Sequence, residues 1–266
     1  MTDVKAAMPT DEVLATLRML QGLDLPAHGG RTLAYVYDSG LADADAVGLE
    51  ALAMFAGSNG LDPTAFPSLL RMENDLVALA GGLLDAPDGF AGSVTSGGTE
   101  SILLAVLAAR KGSDHPSPSM VLPTSAHAAF LKAAAYLGVR AVLVDVDPVT
   151  LRADPTAMAA AVDDSTVLVV ASAPSYAHGV IDPVPEIAAL AASRGIRCHV
   201  DACIGGWVLP HLDTARPWTF AVEGVTSVSV DLHKYAYTPK GVSVLLHRTA
   251  ALRSTHLFAS ANWPGY

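Results

Sequence analysis

Beyond residue 90 the chain alternates two kinds of segment, and this alternation limits the folds open to it more than any other feature. Short β-branched runs fall at residues 91–95, 120–122, 139–146, 166–172, 196–201, 226–230 and 242–246. Windows rich in Ala and Leu, with helical period, lie between many of them at 99–110, 126–137, 155–161 and 184–193, and Gly, Pro, Asp and Ser fill the turns. A strand, helix, strand unit closes through a right-handed crossover. The repeat therefore predicts a three-layer α/β fold, with a mostly parallel central sheet and helices on both faces. Sheets of this kind take ligands at the carboxyl ends of their strands.

Ahead of the sheet the pattern is helical. Thr10 stands where a cap would, Asp11 and Glu12 come directly after it, and Val13, Leu14, Leu17 and Leu20 share a face, as in a packing arm. An extended stretch near 31–37 precedes helical windows at 43–56 and 67–84, the latter carrying Leu69, Leu70, Met72, Leu76, Val77 and Leu79. With 266 residues the chain has room for one large α/β unit or two small ones. It shows no repeat or long linker, since the Pro/Ser-rich 112–119 reads as a surface loop. We expect an N-terminal arm over 1–44 and a single large domain over 45–266. The ending Trp263-Pro264-Gly265-Tyr266 has nothing resembling a terminal helix and looks unfinished.

Composition narrows the function. Apolar residues make up 51% of the chain, but pure runs such as 102–109 and 167–171 fall far short of the roughly 20 residues that span a bilayer. No transmembrane segment or secretory signal is expected, which points to a cytoplasmic location. A net charge of −10 argues against a nucleic-acid partner and favours a small-molecule substrate. Cys198 and Cys203 are too few for a disulfide scaffold. A metal site built from them with His199 and His211 lacks a zinc spacing, so no metal is expected.

Three strings carry chemistry. Thr95-Ser96-Gly97-Gly98-Thr99-Glu100-Ser101 links a strand to a helix, where free N–H groups and the helix dipole suit a phosphate; a helix cap on Ser96 or Thr99 without ligand fits the string equally well. In His199-Val200-Asp201-Ala202-Cys203, alternation puts His199 and Asp201 on one face of the strand. A strand-end aspartate can hold a ribose hydroxyl, a metal or a protonated ring nitrogen, or merely cap the next turn of the chain. The third string is Ser229-Val230-Asp231-Leu232-His233-Lys234-Tyr235. Lys234 is one of five lysines, with Lys5, Lys111, Lys132 and Lys240. A strand-end lysine can form a Schiff base, and partial burial would lower its pKa towards the nucleophilic amine; alone it reads as a solvated loop lysine.

Together the three supply what pyridoxal 5'-phosphate requires: a phosphate anchor, a partner for the pyridinium nitrogen and an imine-forming lysine. His127, at the start of the helical window after the next strand, stands where a histidine would lie flat on the ring, and otherwise reads as a partly buried helix-start residue. Cys203 beside Asp201 reads as a small packing residue rather than a reactive thiol.

These strings resemble the fold-type-I pyridoxal-phosphate enzymes of the group II decarboxylase superfamily, and most of all the sphingosine-1-phosphate lyase branch. The likeness extends through Arg31 to Tyr37, Asn59 to Ser68, Met72-Glu73, Ala126-His127-Ala128-Ala129-Phe130, Ser172-Ala173-Pro174, His178 to Pro183 and Thr238-Pro239-Lys240-Gly241. Decarboxylases of the superfamily show Asp-Ala-Ala and His-Lys-Trp where this chain has Asp201-Ala202-Cys203 and His233-Lys234-Tyr235, which favours the lyase branch. The resemblance implies catalytic roles for three residues: Lys234 holds the cofactor as a Schiff base, Asp201 pairs with its ring nitrogen and His127 stacks on the ring. It also implies phosphate contacts from Gly98, Thr99 and His233, with Ser172 and His199 in support behind them. It implies a homodimer, an amine or amino-acid substrate, phosphorylated in the lyase branch, and a small C-terminal domain that this chain does not contain. The N-terminal membrane anchor of eukaryotic members is not expected within these residues. The activity expected is carbon–carbon (aldehyde) lyase; the alternatives are a carboxy-lyase acting on amino acids and a non-catalytic remnant of the fold.

Overall fold

The computed structural model describes residues 8–32, 34–213 and 217–258. Three helices come first: α1 (Thr10–Gln21), α2 (Ala42–Phe55) and α3 (Pro67–Leu83). Next are β1 (Ala91–Thr95), α4 (Gly98–Lys111), β2 (Ser119–Pro123), α5 (Ala129–Leu137), β3 (Arg140–Val144), α6 (Pro155–Ala161), β4 (Thr166–Ser172) and α7 (Val184–Arg194). The series ends with β5 (Arg197–Asp201), β6 (Ser227–Asp231), β7 (Ser243–His247) and α8 (Ala250–Ser254). The strands make one sheet in the order β1-β7-β6-β5-β4-β2-β3. All run in one direction except β7, which is antiparallel to β1 and β6. The expected three-layer arrangement is borne out.

Two apolar clusters sandwich the sheet, because strands buried on both faces expose alternate residues to each layer. On one face Ile102, Val106 and Ala109 of α4 and Phe130 and Ala133 of α5 meet Met120, Leu122, Leu168 and Val170. On the other, Ala80 of α3, Met158 of α6 and Ile187, Ala188 and Ala191 of α7 cover Val121, Val169, Cys198, Val200 and Val228. Helices stop where the chain supplies a left-handed residue: Gly138 (φ 63°) ends α5 and Gly195 (φ 64°) ends α7. Asp154 starts α6 by accepting the N–H groups of Thr156 and Ala157 ahead of a well-placed Pro155.

Several expectations need correction. The cap of α1 is Pro9, with Thr10 already helical, and α1 buries no residue. α5 begins at Ala129, so His127 lies before the helix in a turn. The stretch expected to be extended near residues 31–37 holds a turn at Ala34-Tyr35 followed by irregular backbone, and Leu33 lies outside the described residues. β6 and β7 each sit one residue further on than their patterns suggested, which brings Asp231 into the sheet opposite Ser243. The last strand is followed by a short helix, α8, capped by the Thr249 hydroxyl, whereas Trp263 to Tyr266 lie outside the described residues.

Candidate cofactor site

The carboxyl edge of the sheet gathers the chemically active residues. β1 leads into the start of α4, β2 into the turn bearing His127, β4 ends at Ser172, β5 at Asp201, and β6 runs through Asp231 into His233 and Lys234. The register lines up Ser172, Asp201 and Ser229 across β4, β5 and β6. A cavity of about 370 Å³ opens here, and its walls include Gly98, Thr99, His127, Ser172, Asp201, His233 and Lys234.

The start of α4 is the wall most closely shaped. Its cap is Gly97, at φ 154°, and no side chain caps the first turn. The ligand-free cap on Ser96 or Thr99 is thereby excluded, and the first N–H groups of the helix lack an internal acceptor. Glu100 turns back instead, accepting the Ser96 N–H at 2.6 Å and the Ser96 hydroxyl at 2.7 Å. Gly98 must be glycine: a Cβ there would lie 2.8 Å from Cys203 Sγ and 2.9 Å from Asp231 Oδ2. Backbone alone faces the cavity at this point, which is how a phosphate cradle is made.

Lys234 Nζ pairs with Asp231 Oδ2 at 3.0 Å, and His233 Nε2 stands 3.5 Å from the same oxygen. The expected fall in the lysine pKa is not found. Burial pulls it down, but the carboxylate of Asp231, hydrogen-bonded to the amine, and that of Asp201 favour the charged form, and the value is raised. Asp231 is buried, and its Oδ1 has no hydrogen-bond partner. His127 Nδ1 accepts the Ala129 N–H at 3.1 Å, which leaves the ring proton of a neutral histidine on Nε2. Burial pushes the Cys203 thiol well above its ordinary range, so it packs as a protonated thiol and not as a nucleophile.

His199 is the one site residue that does not line the cavity. It is fully buried beneath it, 5.9 Å ring to ring from Phe130, and burial lowers its pKa to about 4. Ser172 does line the cavity, and its N–H is held at 2.8 Å by Asp182, which is buried and also accepts the Ala153 N–H. Burial raises the Asp182 pKa. Sequence reasoning missed Asp231, although its place three residues before Lys234 was a signal. It also assigned no role to Lys240, which lines the cavity mouth, 5.0 Å over the Tyr37 ring, with its pKa lowered by burial and by Lys234.

Residues of this kind fit pyridoxal phosphate: a bare backbone cradle at a helix start, an orphaned carboxylate oxygen and an amine over one cavity, and a second carboxylate within it. The sheet order and this edge are those of the pyridoxal-phosphate decarboxylase fold. Residues 32–261 match the pyridoxal-dependent decarboxylase conserved domain, and the chain belongs to that family. It is 46% identical over 222 residues to the sphingosine-1-phosphate lyase of Dictyostelium discoideum, covering 81% of this chain and 42% of that protein. Against the rat sphingosine-1-phosphate lyase 1 it is 40% identical over 268 residues, covering 97% of this chain and 46% of the relative. The chain thus spans less than half the length of these relatives. Among solved structures, a Burkholderia pseudomallei sphingosine-1-phosphate lyase superposes with a TM-score of 0.90 at 36% identity, covering 98% of this chain and 65% of that one. A Lactobacillus brevis glutamate decarboxylase, at 22% identity and a TM-score of 0.79, shares the fold.

Proposed function

We propose that this chain is the cofactor-binding part of a pyridoxal-phosphate-dependent carbon–carbon lyase of the sphingosine-1-phosphate lyase type, cleaving a phosphorylated amino alcohol into an aldehyde and an amine. The observation that carries the reading is the convergence of Lys234, Asp201 and the uncapped start of α4 on one cavity. The similarity to sphingosine-1-phosphate lyases favours that branch over the decarboxylases.

Bound pyridoxal phosphate supplies an aldehyde for capturing an amine and a protonated ring that accepts the electrons of the breaking bond. Lys234 would hold the cofactor through its amine. Asp201 holds the proton on the ring nitrogen. His127, which lines the cavity, would stack on the ring, its Nδ1 engaged by the Ala129 N–H so that the imidazole keeps one orientation. The N–H groups of Gly98 and Thr99, with His233, hold the phosphate. Ser172 borders the cavity, with its backbone fixed by Asp182. Lys240 places a second cation at the cavity mouth, suited to a phosphorylated substrate.

The reading includes a homodimer, with residues 1–44 as an arm that reaches the partner and 45–266 as the large domain. In support, neither α1 nor α2 buries a residue, and Leu17 and Val47 are 55% and 67% exposed. A cytoplasmic location is part of the same reading. Among the described residues no helix is long and apolar enough to cross a membrane, and Cys198 and Cys203 are unpaired. The test is to incubate the cofactor-loaded protein with a sphingoid-base phosphate and with a panel of amino acids. Aldehyde and phosphoethanolamine from the first, lost in Lys234→Ala, are expected; carbon dioxide from an amino acid without aldehyde would replace the lyase by a carboxy-lyase.

A further inference from the structure

The buried polar residues behind Asp201 have no place in the roles above, yet they form one connected set. His199 Nδ1 lies 2.8 Å from the Ser227 hydroxyl, and its Nε2 lies 3.2 Å from the Ser229 hydroxyl. Ser229 Oγ is also 3.4 Å from Cys203 Sγ and 3.5 Å from Asp201 Oδ1, while the Cys203 N–H donates to that same Oδ1 at 3.1 Å. Ser227, His199 and Ser229 are all shielded from solvent.

One order of protons makes every one of these contacts a hydrogen bond with the Asp201 carboxylate ionised. A carboxylate accepts and cannot donate, so the Ser229 hydroxyl gives its single proton to Asp201 Oδ1. Ser229 Oγ then accepts from the Cys203 thiol and from His199 Nε2–H. His199, kept neutral by burial, has its proton on Nε2, and its Nδ1 accepts from Ser227. The Cys203 N–H and the Ser229 hydroxyl both meet Asp201 at Oδ1, Asp201 lines the cavity, and Oδ2 is the oxygen without either bond.

We propose that Ser229, oriented by His199 and Ser227, is a positioning residue that fixes the Asp201 carboxylate so that Oδ2 meets the cofactor's ring nitrogen. The inference rests on the pyridoxal-phosphate reading and adds to it a proton chain running from β6 through β5 to the site. Its loss acts on the ring nitrogen alone and leaves the phosphate cradle and Lys234 untouched.

The experiment compares two probes on the 266-residue chain. One is pyridoxal phosphate; the other is its 1-deaza analogue, which keeps the aldehyde and phosphate but carries C–H in place of the ring nitrogen. Binding is read from absorbance and from quenching of protein fluorescence, without any turnover. Ser229→Ala should weaken pyridoxal phosphate by about tenfold, as expected for one lost hydrogen bond to a charged group, and leave the deaza analogue unchanged. Ser227→Ala, which touches no cavity residue, should give the same selective loss in smaller measure, and Ser229→Thr should restore binding. Equal weakening of both probes would mean a merely structural serine and would overturn the proposal, as would no weakening of either. Failure of the unsubstituted protein to bind either probe would overturn the cofactor reading itself, and the wild-type titration reads that out separately.

Discussion

Gly98 shows how one missing methyl group shapes the site. Cys203 and Asp231, the residues a Cβ would strike, are both buried. Gly98→Ala is expected to cost about 1–3 kcal/mol of stability through overpacking and to weaken pyridoxal phosphate at least tenfold; a titration matching wild type would contradict the cradle assigned to α4. Asp231 makes a second prediction. Its carboxylate, 3.0 Å from Lys234 Nζ, favours the charged amine, whereas capture of an aldehyde needs the neutral one. Removing that charge lowers the lysine pKa. Asp231→Asn should therefore move the pH profile of covalent cofactor capture towards lower pH. A profile unchanged or moved upward would show that Asp231 does not govern Lys234.

At the scale of elements, Asp182 ties the sheet to its neighbours: one oxygen accepts Ala153 N–H ahead of α6 and the other accepts Ser172 N–H at the end of β4. Asp182→Ala would leave two buried N–H groups unpaired, and a loss on the order of 2–4 kcal/mol is expected in chemical denaturation; a loss under about 0.5 kcal/mol would mean that water replaces the carboxylate. Most strands and helices were legible in the sequence because each face of a buried strand meets its own helix layer, so apolar period and turn residues coincide. β1, β4 and α6 fell on their predicted residues, and the site strings lay at strand ends where α/β sheets place ligands. What sequence could not supply was chemistry decided across strands. Lys234 looked like a lysine lowered by burial until the fold set Asp231 and Asp201 beside it. His199 was named from its place in the same string as Asp201, but only the register of β5 against Ser227 and Ser229 puts it behind the site instead of in it. Local signals likewise misplaced the start of α1, where Pro9 and not Thr10 is the cap.

For the whole molecule, three buried histidines make acid stability a test of the fold. Burial lowers His199 to about 4, His247 to about 3 and His256 to about 4, all from an ordinary 6.5. A depressed folded pKa means the unfolded chain binds protons first, so this stability is complete above pH about 6.5 and is lost as pH falls towards 4 and 3. The melting temperature should be level from pH 7 to 8 and fall steadily below 6.5, with His247→Gln flattening part of that slope; a level response down to pH 4 would contradict the neutral, buried assignments. The apolar faces of α1 and α2 are expected to close a dimer, so Leu17→Glu with Val47→Glu should shift sedimentation from dimer to monomer, and a wild-type monomer at micromolar concentration would contradict the proposed assembly. The central claim, that this edge of the sheet holds pyridoxal phosphate through Lys234, is tested most directly by absorbance of the protein with added cofactor, before and after borohydride, combined with peptide mass mapping. A visible band that reduction converts into a permanent mass increase on the Lys234 peptide, absent in Lys234→Ala, is the predicted result. A band and adduct that persist in Lys234→Ala, or an adduct mapped to another lysine, would contradict it.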